Sequence, residues 1–328
     1  MTTLLDISPV LTVVLWIVGI LVAIGIALIP ISYYVASICV YNATLRRTSK
    51  EKWKRGASNL EGGYLKMYHI GEEWLESHSG IMTEVEIVNR QNLTLKGEYY
   101  DLGYDRCVII LLGRTETIRC GYYFAIPYAD FGMNVLVIDP RAHGDSDGEF
   151  NTVGFEESVD VIEWAQYISG RFGIKSFILH GICIGSAAGM LAITKDDCPD
   201  YIDGIVTDGM FINFGESLKN HMIERKKPVK FTYELIDYRM MKLTGHSMSI
   251  GPIDFIDRLQ KPLLMLQGTA DRYSTVENAV KLFEKAGTEK KKLVYIEGGE
   301  HSMLRFADTE LYDSSIREFL ADIYGNKA

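Results

Sequence analysis

One of the five cysteines of this 328-residue chain sits where a thiol can do chemistry. The segment Ser176-Phe-Ile-Leu-His-Gly181-Ile-Cys183-Ile-Gly185-Ser-Ala-Ala-Gly passes from an apolar strand, through Gly-x-Cys-x-Gly, into small residues that open a helix. Gly181 and Gly185 permit a sharp turn that lifts the central side chain above the strand end. A helix N-terminus at that point favours a thiolate and leaves main-chain N–H groups free to hold an oxyanion. Such a nucleophile needs a base and a group to orient it. Leu263-Leu-Met-Leu-Gln-Gly268-Thr-Ala-Asp271 places a carboxylate just past an apolar strand. Leu293-Val-Tyr-Ile-Glu-Gly-Gly-Glu-His301 places an imidazole in the glycine-rich loop after the next strand. In that arrangement Asp271 fixes the imidazole tautomer, while His301 takes the thiol proton and later protonates the leaving group. Cys107 and Cys120 read instead as small buried hydrophobes. An odd cysteine count with no Cys-x-x-Cys pair gives no support to a zinc site or a disulfide framework, so no metal and no cofactor is expected. The histidines at 69, 78, 143, 180, 221 and 246 stand outside this pattern and read as structural or exposed.

These side chains must be carried by strand ends. Short β-branched runs near 84–89, 93–100, 106–112, 134–138, 176–180, 204–207, 262–267 and 292–296 predict strands, the first two as a hairpin. The later runs, such as Val108-Ile-Ile-Leu-Leu, are solidly apolar, as strands buried on both faces are. Helical patterns near 155–171, 185–195, 275–286 and 309–324 alternate with them. That order predicts an α/β fold with an eight-stranded, mostly parallel sheet wrapped by helices on both faces. Residues 210–260 interrupt the alternation, and so long a structureless loop is disfavoured, so a helical lid is expected there. Its Phe211, Phe214, Met222, Phe231, Tyr233, Tyr238, Met240 and Met241 suit ordinary lid packing or an apolar acyl pocket.

From Pro9 to Tyr41 no residue is charged, and Val10–Ile29 has the length of about 20 residues that spans a bilayer core of roughly 30 Å. With no basic stretch before it and too long an apolar run for a signal peptide, the segment predicts a retained single-pass transmembrane helix. Pro30, Tyr33, Tyr34 and Tyr41 suit its exit from the bilayer. The organisation expected is an anchor over 1–43, a connector helix within 44–80 and a catalytic domain over 81–328, separable from the anchor by a cut at 43. Arg46, Arg47, Lys50, Lys52, Lys54 and Arg55 follow the span, which puts the domain on the cytoplasmic side. A net charge of −9 excludes non-specific nucleic-acid binding, which needs a basic footprint.

The chain resembles the bacterial α/β-hydrolases grouped as serine aminopeptidase-like and Bem46-like, many of which carry an N-terminal anchor. The likeness covers roughly residues 60–325. It rests on the triad loops, on Asp139-Pro-Arg141-Ala-His143-Gly144-Asp-Ser146 after the fourth strand, and on Ser249-Ile-Gly-Pro-Ile-Asp254 leading to the acid-bearing strand. Two features depart from that pattern. The elbow holds Cys183 where serine is usual, as in dienelactone hydrolases. Leu112-Gly113-Arg114-Thr115 stands where His-Gly is usual. The resemblance implies an oxyanion hole from the main-chain N–H groups of Arg114 and Ile184. It also implies a small-molecule acyl substrate, an ester, thioester or lactone, cleaved through an acyl-cysteine. An acyltransferase using the same intermediate, and a catalytically silent scaffold, are the alternatives.

Overall fold

The computed structural model describes residues 9–55 and 60–325. The solid aliphatic runs form inner strands: β3 (Arg106–Leu111), β4 (Asn134–Ile138), β5 (Ser176–Ile182), β6 (Ile202–Asp208) and β7 (Leu263–Gly268). Alternate side chains enter opposite cores. Val108 and Ile110 of β3 pack on one face, and Cys107, Ile109 and Leu111 on the other. β1 (Met82–Val88) and β2 (Thr94–Tyr100) pair antiparallel, β2 pairs antiparallel with β4, and β8 (Lys291–Ile296) closes the far edge. The strand order is β1-β2-β4-β3-β5-β6-β7-β8, with every pairing from β4 to β8 parallel.

Helices cover both faces. α4 (Phe155–Phe172) and α8 (Val276–Lys285) bury Trp164 and Leu282 on one side; α10 (Thr309–Tyr324) buries Tyr312 and Ile316 on the other, after the short helix α9 (Leu304–Ala307). α5 (Ile184–Ile193) follows the elbow and is buried along its whole length. α2 (Gly62–His78) spans the connector region, and Gly71 lets it approach closely: a Cβ there would lie 3.0 Å from the main-chain nitrogen of Tyr123. That nitrogen belongs to α3 (Ile118–Phe131), a helix absent from the sequence reading. Its aromatic residues and its internal Pro127 weaken the helical signal. The tertiary structure compensates, because the carbonyl of Tyr123, which Pro127 cannot bond, accepts a hydrogen bond of 2.8 Å from Nη1 of Arg305.

α1 (Pro9–Thr44) is one helix, long and apolar enough to cross a membrane. Its 36 residues reach about 54 Å, well beyond a bilayer core of about 30 Å. Pro30 does not end it. The overshoot packs on α7 (Thr232–Thr244), one of two helices within 210–260, the other being α6 (Phe214–Glu224). Tyr33 meets Phe231 edge-on at 6.1 Å, and Tyr41 and Leu45 are wholly buried. A cut at 43 would therefore remove the buried Ser37 and Tyr41 from the packed domain. The basic flank is also part of the fold. Arg46 pairs with Glu149, Arg47 donates to the carbonyls of Ser146 and Gly144, and Arg55 pairs with Asp139 at 2.7 Å.

Candidate active site

The turn between β5 and α5 holds Cys183 at φ 52°, ψ −112°, a conformation that costs a non-glycine residue about 1–3 kcal/mol. Its neighbours leave no room for side chains. A Cβ on Gly185 would lie 2.0 Å from the carbonyl oxygen of Leu111, and one on Gly181 would lie 2.4 Å from the backbone of Ser186. The turn is pinned to β6, since the Cys183 N–H donates to the Asp208 carbonyl at 3.0 Å and the Ser186 hydroxyl donates to the Gly181 carbonyl at 2.6 Å. The cysteine that results is 8% exposed.

The loops after β7 and β8 are fastened together. The Thr269 N–H donates to the Ile296 carbonyl, and the Ala270 N–H to that of Gly299. This brings Asp271 Oδ2 to 2.7 Å from Nδ1 of His301. Asp271 Oδ1 accepts the N–H groups of Tyr273 and Ser274 at 2.8 and 2.9 Å, so the carboxylate is held on both oxygens. Asp271 does not cap α8, because Thr275 fills that position. With Nδ1–H directed at the carboxylate, the other ring nitrogen is left for Cys183. Burial works to strip the imidazole of its proton, yet Cys183 and Asp271 together hold its pKa well above the ordinary value. The imidazole of His301 is therefore held toward its protonated form. Gly209, at φ +58°, passes beside it, where a Cβ would lie 3.2 Å from Asp271 Oδ2. From α2, the Tyr64 hydroxyl donates to the His301 carbonyl at 2.8 Å.

The loop after β3 lacks the usual histidine and is shaped by other residues. The Gly113 N–H donates to Glu116 Oε2 at 2.8 Å, and the Thr115 N–H, with Thr115 at φ +75°, donates to Nε2 of His143 at 3.2 Å. Nδ1 of His143 donates in turn to the Arg141 carbonyl at 2.9 Å, and burial lowers its pKa to about 4, so the ring stays neutral and accepts. Arg141 is itself locked to Asp160 by two bonds of 2.7 Å. The two flanking N–H groups are thus engaged, and that of Arg114 lies between them. The N–H of Ile184 opens α5, where a helix leaves its donors without internal partners. Burial lowers the pKa of the Arg114 guanidinium, while Cys183 opposes this by favouring the cation. Among the described residues no carboxylate forms an ion pair with Arg114.

Three groups near the site escaped the sequence reading. Asp208, at the end of β6, is fully buried, accepts the Tyr312 hydroxyl at 2.9 Å and has no partner for Oδ1. Burial raises its pKa to about 7, with Asp271 and Glu116 adding to the rise. The signal for it was an acid inside the apolar run Ile205-Val-Thr-Asp208. Glu116 is likewise raised by burial, against the Gly113 N–H and the charges of His301 and Arg114. His221, read as structural or exposed, stacks on Tyr273 at 3.5 Å, and Tyr273 lies edge-on to His301 at 5.5 Å. Burial lowers the His221 pKa to about 4. α6 carries His221 to that position.

No family model matches the chain. It is 28% identical to YqkD of Bacillus subtilis strain 168 over 65% of this chain and 70% of that protein. It is 29% identical to human protein ABHD12B over 59% of this chain and 54% of that one. The Pyrococcus furiosus esterase Pf2001 superposes with a TM-score of 0.63 at 23% identity, over 76% of this chain and 95% of the esterase. The strand order, the strained elbow and the loops that follow β7 and β8 agree with that likeness: the chain has the α/β-hydrolase fold.

Proposed function

We propose that this protein is a membrane-anchored hydrolase of carboxylic esters or thioesters that works through an acyl-cysteine on Cys183. The observation that carries the reading is the strained Cys183 beside an imidazole whose far nitrogen is 2.7 Å from a doubly held carboxylate. The thiolate attacks the acyl carbon, and the carbonyl oxygen takes the negative charge, facing the N–H groups of Arg114 and Ile184. As the tetrahedral intermediate collapses, the leaving oxygen or sulfur takes the proton of the His301 imidazolium. Water then gives a proton to His301 and its oxygen attacks the thioester, releasing the carboxylic acid and restoring the thiol. Asp271 holds the ring in the required tautomer throughout. The Arg114 cation lies where it favours the thiolate. The sequence pattern of the serine aminopeptidase-like and Bem46-like hydrolases supports the same reading, as does the likeness to an esterase. In this reading α1 is the anchor, and the basic flank from Arg46 to Arg55 supports a cytoplasmic side for the domain.

The test is intact-mass spectrometry of the full chain with p-nitrophenyl butyrate. A butyryl adduct on Cys183 that decays to free acid in water, and that Cys183→Ala never forms, is the expected result. An adduct that persists until an alcohol or amine is added would favour an acyltransferase. No adduct, with Cys183→Ala indistinguishable from the parent, would mean a silent scaffold.

A further inference from the structure

The overshoot of α1 has a second role. Beside the lid lies a cavity of about 220 Å³ whose walls are mostly apolar. Ala36, Val40 and Ala43 of α1 line one side, and Phe214, Leu218 and Met222 of α6 line the other. Its polar lining includes Arg114 of the loop after β3 and His221, which stacks on the Tyr273 that meets His301. The cavity therefore extends from α1 to Arg114, whose charge acts on Cys183, and to His221. At 1.5 Å per residue, Ala36 stands only about 10 Å past Ile29, the end of the apolar span, which is within the headgroup layer. The lid around it is built for that layer. Ile223, Phe231 and Tyr238 are 59–63% exposed on a surface that also carries Arg225, Lys226, Lys227, Lys230, Arg239 and Lys242, the pairing of apolar and basic residues that seats in a lipid interface.

We propose that α1 is a wall of the acyl pocket as well as a tether, and that the substrate is a membrane-resident amphiphile whose single acyl chain slides along α1 from the bilayer to Cys183. This rests on the acyl-cysteine reading for its chemistry, while the route along α1 can be tested without turnover. The probes are N-dodecyl and N-ethyl iodoacetamide, which alkylate a thiol with loss of iodide. They are applied to the full chain in phosphatidylcholine vesicles, and Cys183 labelling is read by peptide mass spectrometry. Ala36→Trp and Ala43→Phe fill the cavity, whereas Val35→Trp adds bulk at an exposed position outside it. In both cavity variants the ratio of dodecyl to ethyl labelling should fall at least fivefold, with ethyl labelling within twofold of the parent, and Val35→Trp should keep the parent ratio. An unchanged ratio in both cavity variants, or an equal fall in Val35→Trp, overturns the proposal. Chain-dependent labelling in a parent that cleaves no ester would overturn the hydrolase reading and leave this one standing.

Discussion

Asp271 and Asp208 stand at the ends of neighbouring strands, both buried, and they have opposite fates. Asp271 accepts two main-chain N–H groups and the imidazole of His301, three donors for one carboxylate. Asp208 accepts one tyrosine hydroxyl, leaves Oδ1 without a partner, and is raised by burial to about 7. Burial alone does not decide the charge of a carboxylate. The number of donors aimed at it does, because each one replaces part of the hydration lost on folding. The difference separates the two: Asp271 is held on both oxygens against His301, while Asp208 is a carboxyl that burial pushes toward its neutral form.

The severest test of that division is Asp271→Asn, which should lower kcat on p-nitrophenyl butyrate by about 10⁴-fold, the loss expected when a triad acid is made neutral and the base takes the wrong tautomer. Asp208→Asn should leave kcat at the parent's order of magnitude, since asparagine matches the size of a carboxyl that burial already pushes toward its neutral form. Equal losses in the two variants would erase the distinction.

The next effect is read by alkylation. Cys183 and Asp271 raise the pKa of His301 well above its ordinary value, against the pull of burial, and the proposed mechanism pairs that imidazolium with the Cys183 sulfur. Iodoacetamide should label Cys183 fast near about pH 6 in the parent and at least about tenfold more slowly in His301→Ala, where labelling waits for a free thiol near about pH 8.5. Cys107 and Cys120 will not confuse the reading, since burial pushes both thiols up, Cys120 to about 12. Superimposable profiles would remove His301 from the mechanism.

A stability measurement probes Asp208 directly. Its carboxyl titrates at about 7 in the fold against an ordinary 3.8, so the folded state keeps a proton that the unfolded chain releases in that window. The parent should lose stability as pH rises from about 4 to about 7, and Asp208→Asn should not share that loss. Scanning calorimetry at pH 5 and pH 8 should show the variant gaining on the parent at the higher pH. A difference in Tm that is the same at both values would show Asp208 to be ionised throughout. The smallest effect belongs to Tyr312→Phe, which removes the one donor to Asp208. It should cost about 1 kcal/mol, or roughly 2–4 °C in Tm, and raise the Asp208 pKa further.

Much of this was legible in the chain. All eight strands fall within two residues of their sequence-predicted starts, because solid β-branched runs between turn residues leave little choice of period. Cys183, Asp271 and His301 could be singled out because each follows a strand end, and strand ends on one edge of a parallel sheet come together, as the 2.7 Å contact of Asp271 with His301 illustrates. α3 was missed because its stability comes from nine buried residues and from Arg305, which is distant in sequence and supplies the bond that Pro127 withholds. The loop after β3 was unreadable for the same reason: its shape depends on His143, borrowed from the loop after β4.

Local pattern was enough for the sheet, for the placement of Cys183, Asp271 and His301 after strand ends, and for a helix able to cross a membrane. These depend on local periodicity and on strained turns that only particular residues permit. Tertiary packing was needed to show that the last turns of α1 are core, that His221 stacks on the Tyr273 beside His301, and that burial raises the Asp208 carboxyl to about 7. Each of those facts depends on which distant groups exclude water from a side chain and how many donors replace it, and no local pattern records that count.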